Sequence, residues 1–232
     1  MHSLNHPHIL SMLGFYEDAS SFHLVLEYAP QGDLLECLQP LEDDSVENLR
    51  SILWQVCQAL SYLEQVQVAH RDIKPENVVM CGKAVKLCDF GWATWWKPGP
   101  HQSTLCGTAE YVPPEVLWST MLYAAEYVDR WQFGVLAVEV FEKASPFSPD
   151  NGRGNEQGAH ESIIFSKIRL FRSTKDLQLQ PDAEYRDLVE RLLQVEPTDR
   201  LSATSALNHS FFGQRQDIPQ ALPSPTVAQR RQ

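Results

Sequence analysis

Four side chains suited to phosphate and metal chemistry lie close together in the sequence: Asp72, Lys74, Asn77 and Asp89. A carboxylate such as Asp72 can orient a hydroxyl nucleophile, and Lys74, two residues further on, can steady a transferring phosphoryl group. The oxygens of Asn77 and Asp89 are of the kind that Mg²⁺ prefers. This spacing therefore predicts a site for metal-assisted phosphoryl transfer.

The same residues belong to a longer pattern. His70-Arg71-Asp72 is followed after four residues by Asn77, and then by Asp89-Phe90-Gly91. This combination is the signature set of protein kinases. Downstream, Thr108–Glu115 stands in the place of the Ala-Pro-Glu element, with Pro113 where alanine is usual. The sequence therefore resembles the protein kinases.

Three segments narrow the resemblance. Trp92 comes directly after the Asp-Phe-Gly, Ser103–Thr108 reads Ser-Thr-Leu-Cys-Gly-Thr, and Leu26–Pro30 has the form of a kinase hinge. From about Leu4 to Phe212 the chain resembles the Aurora family of serine/threonine kinases. The resemblance implies transfer of the ATP γ-phosphoryl group to Ser or Thr of proteins, with Mg²⁺, in a cell-cycle role.

The resemblance also implies which residues bind the nucleotide. Leu26 would be the gatekeeper, and the backbone from Glu27 to Ala29 would bind adenine. Val79 would form the floor of the adenine pocket. Cys88, directly before the metal-binding aspartate, would face the nucleotide. ATP and Mg²⁺ are therefore the expected cofactors.

Structural roles follow from the same resemblance. Glu115 and Arg200 are expected to form a buried ion pair. This pair would hold the end of the activation segment, which lies between Asp89 and Glu115. Three further side chains would stack as a regulatory spine that Asp129 anchors. The stack comprises Met12, His70 and Phe90.

Regulation and substrate choice are carried over in the same way. Thr104 is expected to be the activating phosphorylation site, with Ser103 as its rival. Arg71 would receive the phosphate, because a guanidinium binds a phosphate bidentately. The ordered segment would then place Thr108 in the substrate platform. Glu76, beside the catalytic residues, is a candidate contact for an arginine of a basic protein substrate.

The hydrophobic pattern predicts the elements that position these residues. Ile9–Tyr16 and Phe22–Tyr28 are expected to be strands, and the second is apolar enough to be covered on both faces. Leu34–Leu38 and Val46–Glu64 show helical spacing. Trp131–Phe141 is apolar nearly all round, which predicts a buried central helix.

The order of elements predicts an α+β, protein-kinase-like fold, mainly the helical C-lobe with the last strands of the N-lobe sheet. Residues 1–28 would be the end of the N-lobe, and residues 29–212 the hinge and C-lobe. Short strands are expected through Val68–Leu87, and a surface loop at Asn151–Gly158. Residues 213–232 are polar and Pro-rich, which predicts a disordered tail.

Composition excludes several classes. The 232 residues are 43% hydrophobic, enough for a core, and 19 basic against 30 acidic residues leave a net charge of −11. So acidic a chain makes a poor nucleic-acid binder and suits basic protein partners. No transmembrane segment or membrane partner is expected. The five scattered cysteines favour reduced thiols. We expect a location in cytoplasm and nucleus, at the spindle or chromosomes, and an activator protein of the Aurora type.

Two alternatives stay open at this point. By the resemblance, the Gly-rich phosphate loop and its partner lysine belong upstream of Met1, so we expect this chain alone to be weak or inactive as a catalyst. It could then be a truncated kinase-like binding module or a pseudokinase. It could also be a Ser/Thr kinase of another group, since Trp95-Trp96, Gln132 and the insertion around Gly154 depart from the Aurora pattern.

Overall fold

The computed structural model describes residues 4–38, 45–118, 122–148 and 157–213. The strands of these residues are β1 (Met12–Glu17), β2 (Phe22–Leu26), β3 (Val68–Ala69), β4 (Val78–Cys81), β5 (Ala84–Leu87) and β6 (Thr94–Trp95). Their helices are α1 (Leu34–Leu38), α2 (Val46–Gln65), α3 (Pro114–Trp118), α4 (Val128–Glu142), α5 (Gln157–Leu170), α6 (Ala183–Leu192) and α7 (Ala203–Ala206). The predicted α+β fold class is confirmed.

The N-terminal strands form a hairpin. β1 and β2 pair antiparallel, from Met12 opposite Leu26 to Glu17 opposite Phe22. Within the described residues this sheet has no third strand. Phe22 is therefore 72% exposed and Leu24 58% exposed. The expectation that β2 is covered on both faces is wrong for the described residues, because Phe22, Leu24 and Val25 stay largely exposed and Leu26 is half-buried.

The core lies among the helices. Trp131 and Leu136 of α4 are fully buried, which confirms the predicted central helix. The amphipathic helix is confirmed as α2, which begins at the N-cap Ser45 and buries one face against α4, α7 and β5. Helices whose apolar faces meet in this way are stabilised mainly by burial rather than by intrinsic propensity. This helical core is the base on which the polar loops rest.

Two small sheets frame residues 70–77. β3 pairs with β6, Val68 lying opposite Trp95, and β4 pairs with β5, Val78 lying opposite Leu87. The predicted short strands of this region are thus confirmed. These strands flank residues 70–77 in the chain, and Asp129 and Gln132 of α4 bond to the backbone of residues 70–73. Several backbone groups of this loop consequently depend on side chains for their hydrogen bonds.

Two predicted irregular segments lie mostly outside the described residues. These are the loop predicted at residues 151–158, of which 151–156 lie outside the described residues, and the tail predicted at residues 213–232, of which 214–232 do. Gln157 and Gly158, expected in the loop, instead begin α5. In the described parts of the chain we find no helix with the length and hydropathy needed to cross a membrane.

Candidate active site

Asp72 is the centre of a buried hydrogen-bonded group. Its side chain is held by Asn77, whose Nδ2 lies 2.8 Å from Asp72 Oδ2 and 2.7 Å from the Asp72 carbonyl oxygen. Lys74 Nζ lies 3.3 Å from the same Oδ2. Asp72 and Asn77 are both about 5% exposed. The structure therefore brings together three of the four residues that the sequence spacing singled out.

The activation segment is tied to the same carboxylate. The backbone N–H and Oγ1 of Thr108 donate to Asp72 Oδ1 at 3.1 and 3.2 Å. Lys74 Nζ donates to Thr108 Oγ1 at 2.7 Å. The residue before, Gly107, has φ +89°, and a Cβ there would lie 2.7 Å from the Arg71 carbonyl oxygen. Only glycine allows the segment to approach the Asp72 loop so closely.

Asp129 at the start of α4 holds the beginning of this loop. Its two carboxylate oxygens each accept a backbone N–H at 2.7 Å, one from His70 and one from Arg71. Burial raises the pKa of Asp129 to about 6, against the two hydrogen bonds, which lower it. Arg71 has φ +67°, a strained conformation for a non-glycine residue that these bonds stabilise.

His70 packs as a neutral ring. Its centroid lies 4.6 Å from that of Phe90 in an edge-to-face contact, and its Nε2 lies 2.8 Å from the Cys88 carbonyl oxygen. Burial lowers the pKa of His70 to about 4. The ring is therefore uncharged at neutral pH and links the loop to the segment that carries Asp89. A contact of Met12 with this stack stays a prediction.

Asp89 and Asn77 have the donors for a magnesium site. Asp89 lies in an exposed turn with φ +55°, and its Oδ1 accepts from Gly91 N at 3.1 Å. The amide nitrogen of Asn77 is used by Asp72, so its oxygen is the atom that can ligate. In the described parts of the chain, no group of three or more His, Cys, Asp or Glu is arranged to hold a metal. Two protein oxygens completed by phosphate oxygens fit the way Mg²⁺ is usually bound.

A cavity of about 540 Å³ adjoins Asp89. Leu26, Cys88 and Phe90 are among its lining residues. Burial raises the pKa of the Cys88 thiol to about 11, with the Asp89 charge adding to the effect. The thiol is consequently protonated and a weak nucleophile at neutral pH.

The remaining predicted nucleotide contacts lie elsewhere. Glu27, Ala29 and Val79 do not line the cavity beside Asp89. The Glu27 carboxylate instead binds Lys86 Nζ at 2.6 and 2.7 Å. The role predicted for the first two is a backbone one, so their part in binding adenine stays a prediction, as does that of Val79.

Arg71 points towards the activation segment. Its Nε donates to the Trp92 carbonyl oxygen at 2.8 Å, and its Nη1 lies 3.2 Å from the Tyr123 hydroxyl. Tyr123 in turn donates to the Thr104 carbonyl oxygen at 2.7 Å. Thr104 itself is exposed. Tyr123, which sequence reasoning missed, thus joins the predicted phosphorylation site to the predicted phosphate receptor.

Glu115 and Arg200 form a bidentate ion pair. The two guanidinium nitrogens lie 2.7 and 2.6 Å from the two carboxylate oxygens. Arg200 is only 3% exposed, and its guanidinium also stacks over the Trp131 ring at 5.0 Å. Because removing one partner would leave a buried charge, the pair holds the end of the activation segment firmly to the helical core.

An acidic surface lies beside the Asp72 loop. Glu76 is exposed, and its charge, with that of Glu110, adds to burial in raising the pKa of Glu139. The Tyr111 hydroxyl donates a hydrogen bond to Glu139. Sequence reasoning found Glu76 and missed Glu139, since a single glutamate in an apolar helix carries no local signal of such a neighbourhood.

The fold and this site together define the class of the protein, that of protein kinases. Residues 1–212 match the family model described as a protein kinase domain. The match covers most of the chain, in agreement with the geometry around Asp72.

Curated relatives narrow the class. The chain is 34% identical over 212 residues to Aurora kinase of Encephalitozoon cuniculi, covering 90% of this chain and 74% of that protein. It is 35% identical over 216 residues to Aurora kinase of Schizosaccharomyces pombe, covering 93% and 57%. It is 36% identical over 212 residues to Aurora kinase A-A of Xenopus laevis, covering 90% and 48%. The chain belongs to the Aurora family of protein kinases. It spans about half the length of the last two relatives.

Proposed function

We propose that the protein transfers the ATP γ-phosphoryl group to serine or threonine residues of other proteins. The observation that carries this proposal is the Asp72 carboxylate, held in place by Asn77, Lys74 and Thr108. A carboxylate oriented from several sides can align a substrate hydroxyl for in-line attack. Intact residues at all of these positions argue against a pseudokinase.

Each side chain has a defined task in this reaction. Asp72 accepts the hydrogen bond of the substrate hydroxyl and takes its proton as the new O–P bond forms and the bond from the γ-phosphorus to the departing ADP breaks. Lys74, which already bridges Asp72 and Thr108, places a positive charge beside the transferring group. Asn77 and Asp89 would hold Mg²⁺, which neutralises phosphate charge when bound.

The substrate class follows from charge. Glu76, Glu110 and Glu139 gather negative charge beside the catalytic loop, in a chain of net charge −11. Such a surface favours an arginine or lysine near the phosphoacceptor. We therefore propose basic serine or threonine segments of proteins as substrates.

Regulation through Thr104 is proposed on geometry. The guanidinium of Arg71 hydrogen-bonds to neutral groups, the Trp92 carbonyl and the Gln102 and Tyr123 side chains. A phosphate on Thr104 would offer this guanidinium an anionic partner and would order the segment. The proposed activator protein, and the location at spindle or chromosomes, rest on the family resemblance alone.

The test of function uses the purified chain with Mg²⁺-ATP and a basic serine peptide. We expect slow phosphopeptide formation, detected by mass spectrometry, that the matched variant Asp72→Asn abolishes. Equal product with both proteins would mean contamination and would contradict the proposal.

A binding module is the second candidate, and the exposed β1–β2 hairpin is the observation that favours it. Saturable Mg²⁺-ATP binding, measured by calorimetry, together with Asp72-dependent transfer, would reject it. Neither binding nor transfer by a folded chain would favour it over the enzyme.

A further inference from the structure

Gln132 is a fully buried amide in the N-terminal half of the apolar helix α4. It is 0% exposed, so each of its polar atoms needs a partner within the protein. Both have one. Gln132 Oε1 accepts from the Ile73 backbone N–H at 3.0 Å, and Nε2 donates to the Arg71 carbonyl oxygen at 3.1 Å.

These two bonds are made to the two peptide groups that flank Asp72. The Arg71 carbonyl belongs to the peptide before the Asp72 Cα, and the Ile73 N–H belongs to the peptide after it. Fixing both peptide planes fixes the two backbone dihedrals of Asp72 and hence the direction in which its side chain leaves the backbone.

Other side chains hold different groups of the same loop. Asp129 accepts from the N–H groups of His70 and Arg71, and Asn77 donates to the Asp72 carbonyl. None of these contacts reaches the Arg71 carbonyl or the Ile73 N–H. Each of the two peptide groups also has a second tie at its other end: Asn77 donates to the Asp72 carbonyl, and the Asp72 N–H lies 3.3 Å from His70 Nδ1. Among these side chains Gln132 is the one that bonds both peptide groups, at the two atoms that the others leave.

Gln132 also lies close to Gly107 of the activation segment. A Cβ at Gly107 would lie 2.7 Å from the Arg71 carbonyl oxygen, 3.4 Å from Asp72 Oδ1 and 3.5 Å from Gln132 Nε2. The amide thus lies at the contact between the Asp72 loop and the activation segment. A shift of the Arg71–Asp72 peptide would disturb both.

We propose that Gln132 is a positioning residue that clamps the peptide groups on both sides of Asp72 and thereby aims its carboxylate. The effect on turnover rests on the proposed kinase function, whereas the effect on the loop does not. The alternative is that Gln132 is only a satisfied core amide that contributes to stability.

The chain contains a matched control for that alternative. Gln55 in α2 is 8% exposed and bonds backbone in the same way, accepting from Val85 N at 3.0 Å and donating to the Lys83 carbonyl oxygen at 3.1 Å. Gln55→Met and Gln132→Met each replace an amide by an apolar side chain of similar size. Each variant removes the side-chain partners of one backbone N–H and one backbone carbonyl.

The first measurement is amide hydrogen exchange of the full chain by NMR. In Gln132→Met the Ile73 amide should exchange at least about tenfold faster, while the His70 and Arg71 amides stay slow because Asp129 holds them. In Gln55→Met the Val85 amide should become fast and Ile73 should stay slow. An unchanged Ile73 amide in Gln132→Met would overturn the clamp.

The second measurement is steady-state kinetics, which separates an effect on kcat from an effect on the KM for ATP. With similar loss of stability in the two variants, Gln132→Met should lower kcat about 10- to 100-fold with little change in the KM for ATP, because misplacing a reacting group costs rate. Gln55→Met should keep the wild-type kcat. A wild-type kcat in Gln132→Met, despite a fast Ile73 amide, would reject positioning and leave the kinase function standing. No transfer by the wild type, with a Gln132-dependent Ile73 amide, would reject the function and leave the clamp standing.

If Gln132→Met does not fold, Gln132→Glu replaces it. The protonated acid can make both bonds, whereas the carboxylate has no donor for the Arg71 carbonyl. The kcat of this variant relative to wild type should therefore fall as pH rises, at temperatures well below unfolding. A ratio independent of pH would contradict the clamp.

Discussion

The β1–β2 hairpin and helix α4 are both rich in apolar residues, yet their environments are opposite. Phe22 and Leu24 of the hairpin are mostly exposed, while Trp131 and Phe133 of α4 are fully buried. An apolar pattern therefore predicts an element and its faces, but burial depends on whether another element covers that face. The loop of residues 70–77, which carries Asp72, is hydrogen-bonded to α4. The position of its backbone therefore depends on the packing of that helix.

The largest expected effect concerns the loop on the buried side. Asp72→Asn should lower kcat by roughly 10²- to 10⁴-fold, since it removes the base while keeping the size of the side chain. Asp89→Asn should instead raise the KM for Mg²⁺-ATP, because it removes a metal ligand charge. Steady-state kinetics of both variants separate these roles. If both variants changed the same kinetic parameter to the same extent, the separate roles assigned to Asp72 and Asp89 would be wrong.

A direct comparison of the two regions is a pair of truncations. Trp131→Ala should cost about 3–5 kcal/mol of unfolding free energy, because it opens a cavity among packed rings and removes the surface under Arg200. Phe22→Ala should change it by less than about 0.5 kcal/mol, because the ring is already exposed. Urea unfolding followed by fluorescence and circular dichroism measures both. A large loss for Phe22→Ala would reveal a partner for the hairpin.

The unfolding free energy should depend on pH through buried titratable side chains. Burial lowers the pKa of His6 and His70 to about 4, so the unfolded chain binds their protons first as pH falls below 6.5. Stability from these two groups is thus present above pH 6.5 and is lost towards pH 4. Asp129, with its pKa raised to about 6, opposes them, since its folded form takes up a proton first.

The two histidines outweigh the one aspartate. We expect the unfolding free energy to fall by about 2 kcal/mol between pH 6.5 and 4.5. His6→Gln should make this fall shallower, and urea melts at several pH values provide the measurement. A rise in stability over this range would contradict the assigned protonation states.

The smallest effect is expected at the exposed activation segment. Thr104→Val in the phosphorylated protein should lower activity about tenfold, since it removes one charge-assisted contact, and Arg71→Ala at least as much, since it also removes the bonds to the Trp92 carbonyl and the Tyr123 hydroxyl. The double variant should be no worse than the worse single variant, because both changes remove the same interaction. Ser103→Ala is the matched control and should keep its activity. Loss in Ser103→Ala together with wild-type turnover in Thr104→Val would move the site to Ser103.

The sequence by itself determined the features that local patterns encode. The signature residues Asp72, Asn77 and Asp89 are read from spacing, and the two long helices α2 and α4 follow from hydrophobic periodicity. The α+β fold followed from the order of elements and from the kinase signature. These inferences work because the chemistry or the periodicity lies within a short stretch of chain.

The tertiary structure decided what depends on distant segments. Gln132 bonds Ile73 across 59 positions, and Tyr123 bonds Arg71 across 52, so neither role leaves a local pattern. Glu139 reads as one polar residue in an apolar helix until folding places it near Glu76 and Glu110. The exposure of Phe22 could not be predicted from the sequence either. The apolar composition of a strand shows that the strand can be buried, but not which element buries it. Only packing brings such groups within bonding distance, and their function arises there.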